Sequence, residues 1–394
     1  MPSKHIHRSL SLRVALSLVV GALVLAACSS STPTNVKAAA PSPGNAPKSI
    51  VQLGDSVAAG EGTLYGYSYD PVTKEWTGGN LNATWPPPYP GCHNSPDANG
   101  VLIAAAFGAT FHQFACTGAT FDSGIVNTEV FKGSQLRPPQ FGNWTTQQGL
   151  NAEYDAAAPD LVLVSLGAND VQFVNILTEC IKNGYEYYFG ITKTLQCTSS
   201  NPGPTVQNDY FNFLPTLKKN YGTLLSWITA RANANHVAVP KVIFTTYPNP
   251  FPSSNTKCPD TSWFYPQQVS YLTSLLQKMD QTMVSTINGL KMKNVAVVDL
   301  QKAYQPNGVD HRWCSGSPWA YGLSIYHFYD PKSFDSQAPF HPTPSGQQSI
   351  ALHVVPAILQ LFNTVAPARL PLSSTTVPMP TTVAVPPTSP GTGP

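Results

Sequence analysis

The chain has 394 residues, and charged side chains make up only 11% of them, against about 25% in an ordinary soluble chain. Its formal net charge is +2, but three basic residues and no acid lie in residues 1–27, so the rest of the chain carries −1. The sequence therefore offers no basic face. A nucleic acid is excluded as the expected partner.

Residues 1–27 have the features of an export signal, because three basic residues precede an apolar stretch that runs from Val14 to Ala27. This stretch is shorter than the roughly 20 residues that a membrane-spanning helix needs. It ends in Leu25-Ala26-Ala27-Cys28, which resembles a bacterial lipobox. The resemblance implies cleavage before Cys28 and a diacylglycerol on its sulfur, which would anchor the protein at the outer face of the cell membrane. An ordinary secretory signal with a chance cysteine is the alternative.

Composition divides the remaining chain into three parts. Residues 28–47 and 367–394 are rich in Ser, Thr and Pro and have no apolar period. Such segments bury too little apolar surface to fold, so we predict a flexible linker and a disordered tail. Residues 48–366 contain every strong apolar pattern, and we predict that they form one folded domain.

Short apolar runs alternate with helical patterns along this domain. In chain order, we predict strands at 50–53, 111–115 (the weakest), 161–166, 242–247 and 295–298, and helices at 217–234, 272–290 and 344–361. Continuous β-branched runs are typical of parallel strands that are covered on both faces. The pattern therefore predicts a three-layer α/β/α sandwich with a mostly parallel, flavodoxin-like central sheet and long disulfide-stapled loops.

Four long segments interrupt the alternation, and we predict that they are loops that line a pocket above the sheet; they are 63–100, 171–215, 249–266 and 304–339. If Cys28 is lipidated, six cysteines remain, and an even number in an exported chain indicates disulfides. Six cysteines allow 15 connectivities. We favour pairing in sequence order, because each bond then closes one local segment: Cys92–Cys116, Cys180–Cys197 and Cys258–Cys314.

The cysteine pattern does not favour a metal site. The chain has no CxxC motif, and no cysteine lies at zinc-site spacing from a histidine. We therefore expect no metal.

Three motifs place polar side chains at a strand end or a helix start. Gly54-Asp55-Ser56 follows the predicted strand at 50–53, Gly167-Ala168-Asn169-Asp170 follows the predicted strand at 161–166, and His341 precedes the last predicted helix. Carboxyl ends of parallel strands share one edge of a sheet, which is where active sites of such folds lie. Ser beside a His base is the pattern of nucleophilic catalysis. Each motif alone is weak, because Gly, Asp, Asn and Ser are also common in turns.

Together and in this order, the motifs resemble the blocks of the GDSL or SGNH hydrolase family, and residues 115–120 resemble the second block. The chain looks most like the secreted actinobacterial branch of its esterases and lipases. The resemblance implies that Ser56 attacks an ester carbonyl while His341 takes and later returns the proton. It also implies an oxyanion hole made of the backbone N–H groups of Ser56 and Gly118 and the side chain of Asn169, and no cofactor.

One position departs from the family pattern. The family usually has an Asp three residues before the His, where this chain has Ala338. Either the backbone carbonyl of Ala338 orients His341, as in a dyad, or Asp335 reaches the ring; we favour the dyad. Asp55 neighbours the nucleophile in the chain, but we interpret it as holding the loop.

The sequence thus predicts a carboxylic ester hydrolase of the esterase or lipase type. We expect a monomer that acts on a small-molecule or lipid ester and reaches the membrane through an anchor at Cys28. Two alternatives remain: a deacetylase of polysaccharide, and a non-catalytic envelope lipoprotein with the same fold. Aromatic side chains in the long segments suit a sugar as well as an acyl chain, so they do not decide between the substrates.

Overall fold

The computed structural model describes residues 43–72, 75–78, 92–126, 129–130, 136–137, 140, 158–252, 264–323 and 339–367. The strands are β1 (Ser49–Gly54), β2 (Tyr67–Asp70), β3 (Glu75–Gly78), β4 (Thr110–Gln113), β5 (Glu129–Val130), β6 (Leu136–Arg137), β7 (Leu161–Ser165), β8 (Lys241–Thr245) and β9 (Val295–Val298). The helices are α1 (Ser56–Ala59), α2 (Asn99–Phe107), α3 (Phe173–Tyr188), α4 (Phe211–Phe213), α5 (Thr216–Ala234), α6 (Pro266–Gly289) and α7 (Pro344–Phe362).

Five of these strands form the central sheet in the order β4-β1-β7-β8-β9, and all neighbouring pairs are parallel. Counted along the chain, this is the order 2-1-3-4-5 of flavodoxin-like sheets. The predicted fold class is therefore confirmed. The remaining strands form two separate antiparallel pairs, β2 with β3 and β5 with β6.

Side chains alternate along each central strand between two hydrophobic layers, as the pleat requires. In β7, Val162 and Val164 pack in the layer that contains α3, α5 and α6, whereas Leu161 and Leu163 pack in the layer that contains α2 and α7. Both faces of the strand are thus covered. This explains why its sequence is a continuous apolar run.

Besides the short helices α1 and α4, two longer helices, α2 and α3, were not predicted. The segment 171–215, predicted to be a loop, contains α3, so that prediction is wrong there. The buried side chains of α3 include Ile176, Cys180 and Ile181, a helical spacing that was present in the sequence but is followed by a glycine and three tyrosines. In α2, neighbouring side chains from Val101 to Ala104 are all buried, so no polar face marked it as a helix.

Disulfides join Cys92 to Cys116 and Cys180 to Cys197, two of the pairs expected from sequence order. Cys314 is also disulfide-bonded, and its expected partner Cys258 lies outside the described residues.

Most of both predicted flanking segments lies outside the described part of the chain, as do the export signal and Cys28. Their roles, and the domain boundaries, stay predictions. Among the helices that the structure describes, none combines the length and the apolar character needed to cross a membrane.

Candidate active site

The turn after β1 is shaped by a glycine that no other residue could replace without strain. Gly54 has a φ of +139°, and a Cβ there would lie 2.1 Å from the carbonyl oxygen of Ser165 on β7. Its N–H donates to Gln140 Oε1 and its carbonyl accepts from Gln140 Nε2, both at 2.7 Å. These contacts let β1 and β7 stay close while the chain turns. Ser56 follows as the first residue of α1 and is only 7% exposed.

Asp55 caps α1 and joins it to the segments that follow β8 and β7. Its side chain accepts from the N–H of Val57 at 3.0 Å and from the hydroxyl of Tyr247, which in turn accepts from the N–H of Ala168 at 3.1 Å. Burial raises the pKa of Asp55 to about 7, although the hydrogen bond from Tyr247 lowers it. Its oxygens are thus engaged by the turn and by Tyr247, which fits a carboxyl that holds the loop.

Gly118 and Asn169 come from the turns after the two strands that flank β1. Gly118 lies in an exposed turn with a φ of +79°, and the next residue, Ala119, accepts a hydrogen bond from Asn169 Nδ2 at 3.0 Å. Within the described part of the chain, the N–H groups of Ser56 and Gly118 have no hydrogen-bond acceptor. The second N–H of the Asn169 amide is likewise unbonded among the described residues.

Asp170 holds the same two turns together. Its Oδ1 accepts from the N–H of Phe121 at 3.0 Å and from Asn220 Nδ2 at 3.1 Å. Burial raises the pKa of Asp170 to about 6, although both hydrogen bonds lower it. Gly167 gives this turn its close packing, because a Cβ there would lie 2.7 Å from the hydroxyl of Tyr221.

His341 lies next to Ser56 although 285 residues separate them: its Nε2 is 2.7 Å from the Ser56 hydroxyl oxygen. The backbone of its loop pairs with Tyr321, whose N–H donates to the carbonyl of His341 at 3.0 Å. Thr343 then caps α7 by accepting from the N–H of Gly346. The loop is thus fixed on both sides of the imidazole.

The structure brings Ser56 and His341 together and places Gly118 and Asn169 at the adjacent strand ends. Ala338 and Asp335, the two candidates for orienting His341, lie outside the described residues. Sequence reasoning missed Gln140, Tyr247 and Tyr221. None of them belongs to a local motif, so no signal in the sequence marked them.

Among the residues that the structure describes, no group of three or more His, Cys, Asp or Glu side chains could hold a metal ion.

Comparisons with known proteins place this arrangement in a family. The model of the GDSL-like lipase/acylhydrolase family matches residues 53–349, which include all four residues of the site. Among curated proteins, no sequence matches the chain.

Several solved structures are similar to it. Phospholipase A1 from Streptomyces albidoflavus NA297 shares 19% identity, with a TM-score of 0.48 over 80% of this chain and 99% of that one. The extracellular lipase from Streptomyces rimosus shares 17%, with a TM-score of 0.43 over 79% and 98%. The aryl esterase of M. smegmatis shares 13%, with a TM-score of 0.37 over 81% and 100%.

Proposed function

The chain belongs to the GDSL-like lipase/acylhydrolase family, and we propose that it cleaves carboxylic esters through an acyl-enzyme on Ser56. The observation that supports this most is the 2.7 Å contact between His341 Nε2 and the Ser56 hydroxyl. A serine hydroxyl is a weak nucleophile unless a base within hydrogen-bond reach takes its proton during attack. An imidazole nitrogen at this distance is such a base.

In the first half of the reaction, Ser56 Oγ attacks the ester carbonyl carbon and His341 takes the hydroxyl proton. The carbonyl oxygen becomes an oxyanion, which the N–H groups of Ser56 and Gly118 and the amide of Asn169 would bind. One such donor contributes about 3–4 kcal/mol to lowering the barrier. His341 then gives its proton to the leaving alcohol oxygen as the ester C–O bond breaks.

In the second half, His341 removes a proton from water, and the resulting nucleophile attacks the acyl carbon. The bond to Ser56 Oγ breaks, the carboxylic acid leaves, and the proton returns to Ser56. The imidazole needs a fixed tautomer for both halves, since Nε2 must be unprotonated at the start. We assign that task to the backbone carbonyl of Ala338, with Asp335 as the alternative.

We further propose that the protein works outside the cytoplasm, held at the membrane by a lipid on Cys28. Disulfides persist mainly in oxidising compartments, and Cys92–Cys116 and Cys180–Cys197 support export. If Cys28 carries the anchor, a Cys28→Ala chain should move from the membrane fraction to the medium. A variant that stays with the membrane would contradict the anchor.

The activity is tested by hydrolysis of p-nitrophenyl acetate, butyrate and palmitate, and of acetylated xylan. Wild type is compared with Ser56→Ala, His341→Ala and, as a matched control, Ser226→Ala on the exposed side of α5. The first two should lose at least about 10³-fold in kcat/KM, and the control should not change. The preferred ester then separates an esterase or lipase from a polysaccharide deacetylase.

A wild type that hydrolyses no ester and is not labelled by a fluorophosphonate would refute the proposal. It would favour a non-catalytic envelope protein instead.

A further inference from the structure

The nucleophile lies on a helix that depends on outside partners. Helix α1 has four residues, too few to be stable alone, and its last carbonyls have no partners within it. Gln347 Nε2 donates to the carbonyl of Val57 at 2.9 Å, and Gln113 Nε2 donates to that of Ala58 at 3.0 Å. The position of Ser56 is therefore set by side chains from distant elements.

One of these side chains belongs to the helix that follows the base. His341 lies two residues before Thr343, the N-cap of α7, and Gln347 lies in the first turns of α7. The N–H of Gln347 donates to the carbonyl of Thr343 at 2.8 Å, which ties it to the cap. The hydrogen bond from Gln347 to Val57 thus connects the short segment that carries the base to the short helix that carries the nucleophile.

The amide of Gln347 is held in one orientation. Its Oε1 accepts from the backbone N–H of Asn99 at 3.0 Å and from Asn99 Nδ2 at 2.8 Å, so its Nε2 must face Val57. Asn99 Oδ1 accepts in turn from Gln52 Nε2 at 3.1 Å, on β1 four residues before Ser56. All three side chains are buried, with 0%, 4% and 1% exposed for Gln347, Asn99 and Gln52.

We propose that Gln347 is a positioning residue that sets the distance between His341 and Ser56. This inference rests on the proposed function. Gln347 does not touch the reacting atoms. It acts by holding α7 against α1, and the hydrogen-bonded side chains of Asn99 and Gln52 hold the amide of Gln347 in place. A displacement of about 1 Å between reacting groups lowers a rate by up to about 10²-fold. Loss of the hydrogen bond between Gln347 and Val57 should therefore lower the rate of the chemical step.

The chain offers a control that separates positioning from stability. Ser349 also lies in α7, is 4% exposed, and donates from Oγ to the carbonyl of Ala303 at 2.7 Å. Removing its hydroxyl takes a side-chain donor away from a buried carbonyl, as Gln347→Met does at Val57, which then keeps only the longer 3.5 Å bond from Asn99 Nδ2. Ser349 makes no hydrogen bond to α1. Ser349→Ala should therefore weaken the packing of α7 and leave the hydrogen bond between α7 and α1 intact.

The test measures kcat and KM for p-nitrophenyl butyrate with the full chain. Gln347→Met should lower kcat by about 10- to 100-fold and leave KM within about twofold, because binding does not use the joint. Ser349→Ala should stay within about twofold of wild type in both constants. Fluorophosphonate labelling is then measured in a His341→Ala background, where Gln347→Met should cause no further loss of rate.

Two results would overturn the inference: a Gln347→Met enzyme that matches Ser349→Ala, or one that loses the same factor without His341. If Gln347→Met does not fold, Asn99→Ala replaces it. That variant keeps the backbone donor to Gln347 but loses the bonds from Asn99 Nδ2 to Gln347 at 2.8 Å and to Val57 at 3.5 Å. It should lower kcat by about threefold to tenfold, and an unchanged kcat would again overturn the inference. An inert wild type would overturn the proposed function itself, before any variant is compared.

Discussion

The buried carboxyl of Asp55 should make the stability of the protein depend on pH. Burial raises its pKa from 3.8 to about 7. A raised pKa means that the folded state favours the protonated form. The contribution of Asp55 to stability is therefore complete below pH 3.8 and is lost as the pH rises through about 7. Integrated from pH 4.5 to 7.5, the loss is about 3 kcal/mol.

Asp55→Asn removes this titration and keeps an oxygen that can accept from the N–H of Val57. The free energy of unfolding of the variant, relative to wild type, should therefore rise by about 3 kcal/mol between pH 4.5 and 7.5. Urea unfolding with intact disulfides, followed by tryptophan fluorescence at four pH values, measures this difference. Asp170, whose pKa burial raises to about 6, titrates in both proteins and largely cancels.

Asp310→Asn is the matched control. Burial raises the pKa of Asp310, but hydrogen bonds and the charge of Arg312 outweigh burial and hold the pKa below its ordinary value. Its contribution is complete above about pH 4, so the difference between this variant and wild type should stay flat from pH 4.5 to 7.5. If the Asp55→Asn difference is equally flat, Asp55 is not the buried carboxyl described above.

Two further changes test the scaffold. Gly54→Ala should lower the free energy of unfolding by more than about 3 kcal/mol, because its Cβ would lie 2.1 Å from the Ser165 carbonyl oxygen. Gly66→Ala is the control: a Cβ there would meet nothing within 4 Å, so it should lower the free energy of unfolding by only about 1 kcal/mol. Equal melting temperatures for the two would contradict the contact. Replacing Cys180 and Cys197 by Ser opens a bond that spans 17 residues, which should cost about 3 kcal/mol and leave ester hydrolysis below the melting temperature unchanged. If the folded variant lost ester hydrolysis, the disulfide would be needed for the geometry of the active site.

The central strands could be predicted because a strand that is buried on both faces has a continuous run of apolar residues. Strand β7 is buried on both faces, so every residue from Leu161 to Val164 is apolar, and the predicted bounds agree with the structure to one residue. Residues 99–104 of helix α2 are also buried, but its seven-residue apolar run, Val101 to Phe107, does not reveal whether it is a helix or a strand. Only its packing between the sheet and α7 decides that.

The candidate site divides in the same way. Ser56 and Asn169 could be predicted because each directly follows a strand, and the parallel sheet brings strand ends to one edge. The groups that hold them could not, because their partners lie far away in the chain. Tyr247 and Asp55 are 192 residues apart, and Gln347 and Val57 are 290 apart. Neither pair belongs to a motif, and only the folded sheet brings them together.

The strand order explains why so many distant contacts converge on one serine. Strand β1 lies between β4 and β7, where the order of the sheet reverses, so the turn that carries Ser56 is flanked by the turns after both neighbours. Tyr247 reaches this turn from one hydrophobic layer, and Gln347 comes from α7, which packs in the other. Each layer therefore contributes at least one hydrogen-bonded connection to the turn and the four-residue helix that carry Ser56. A substitution in either layer can therefore displace Ser56 without contacting it. Such a substitution should lower kcat more than it weakens substrate binding.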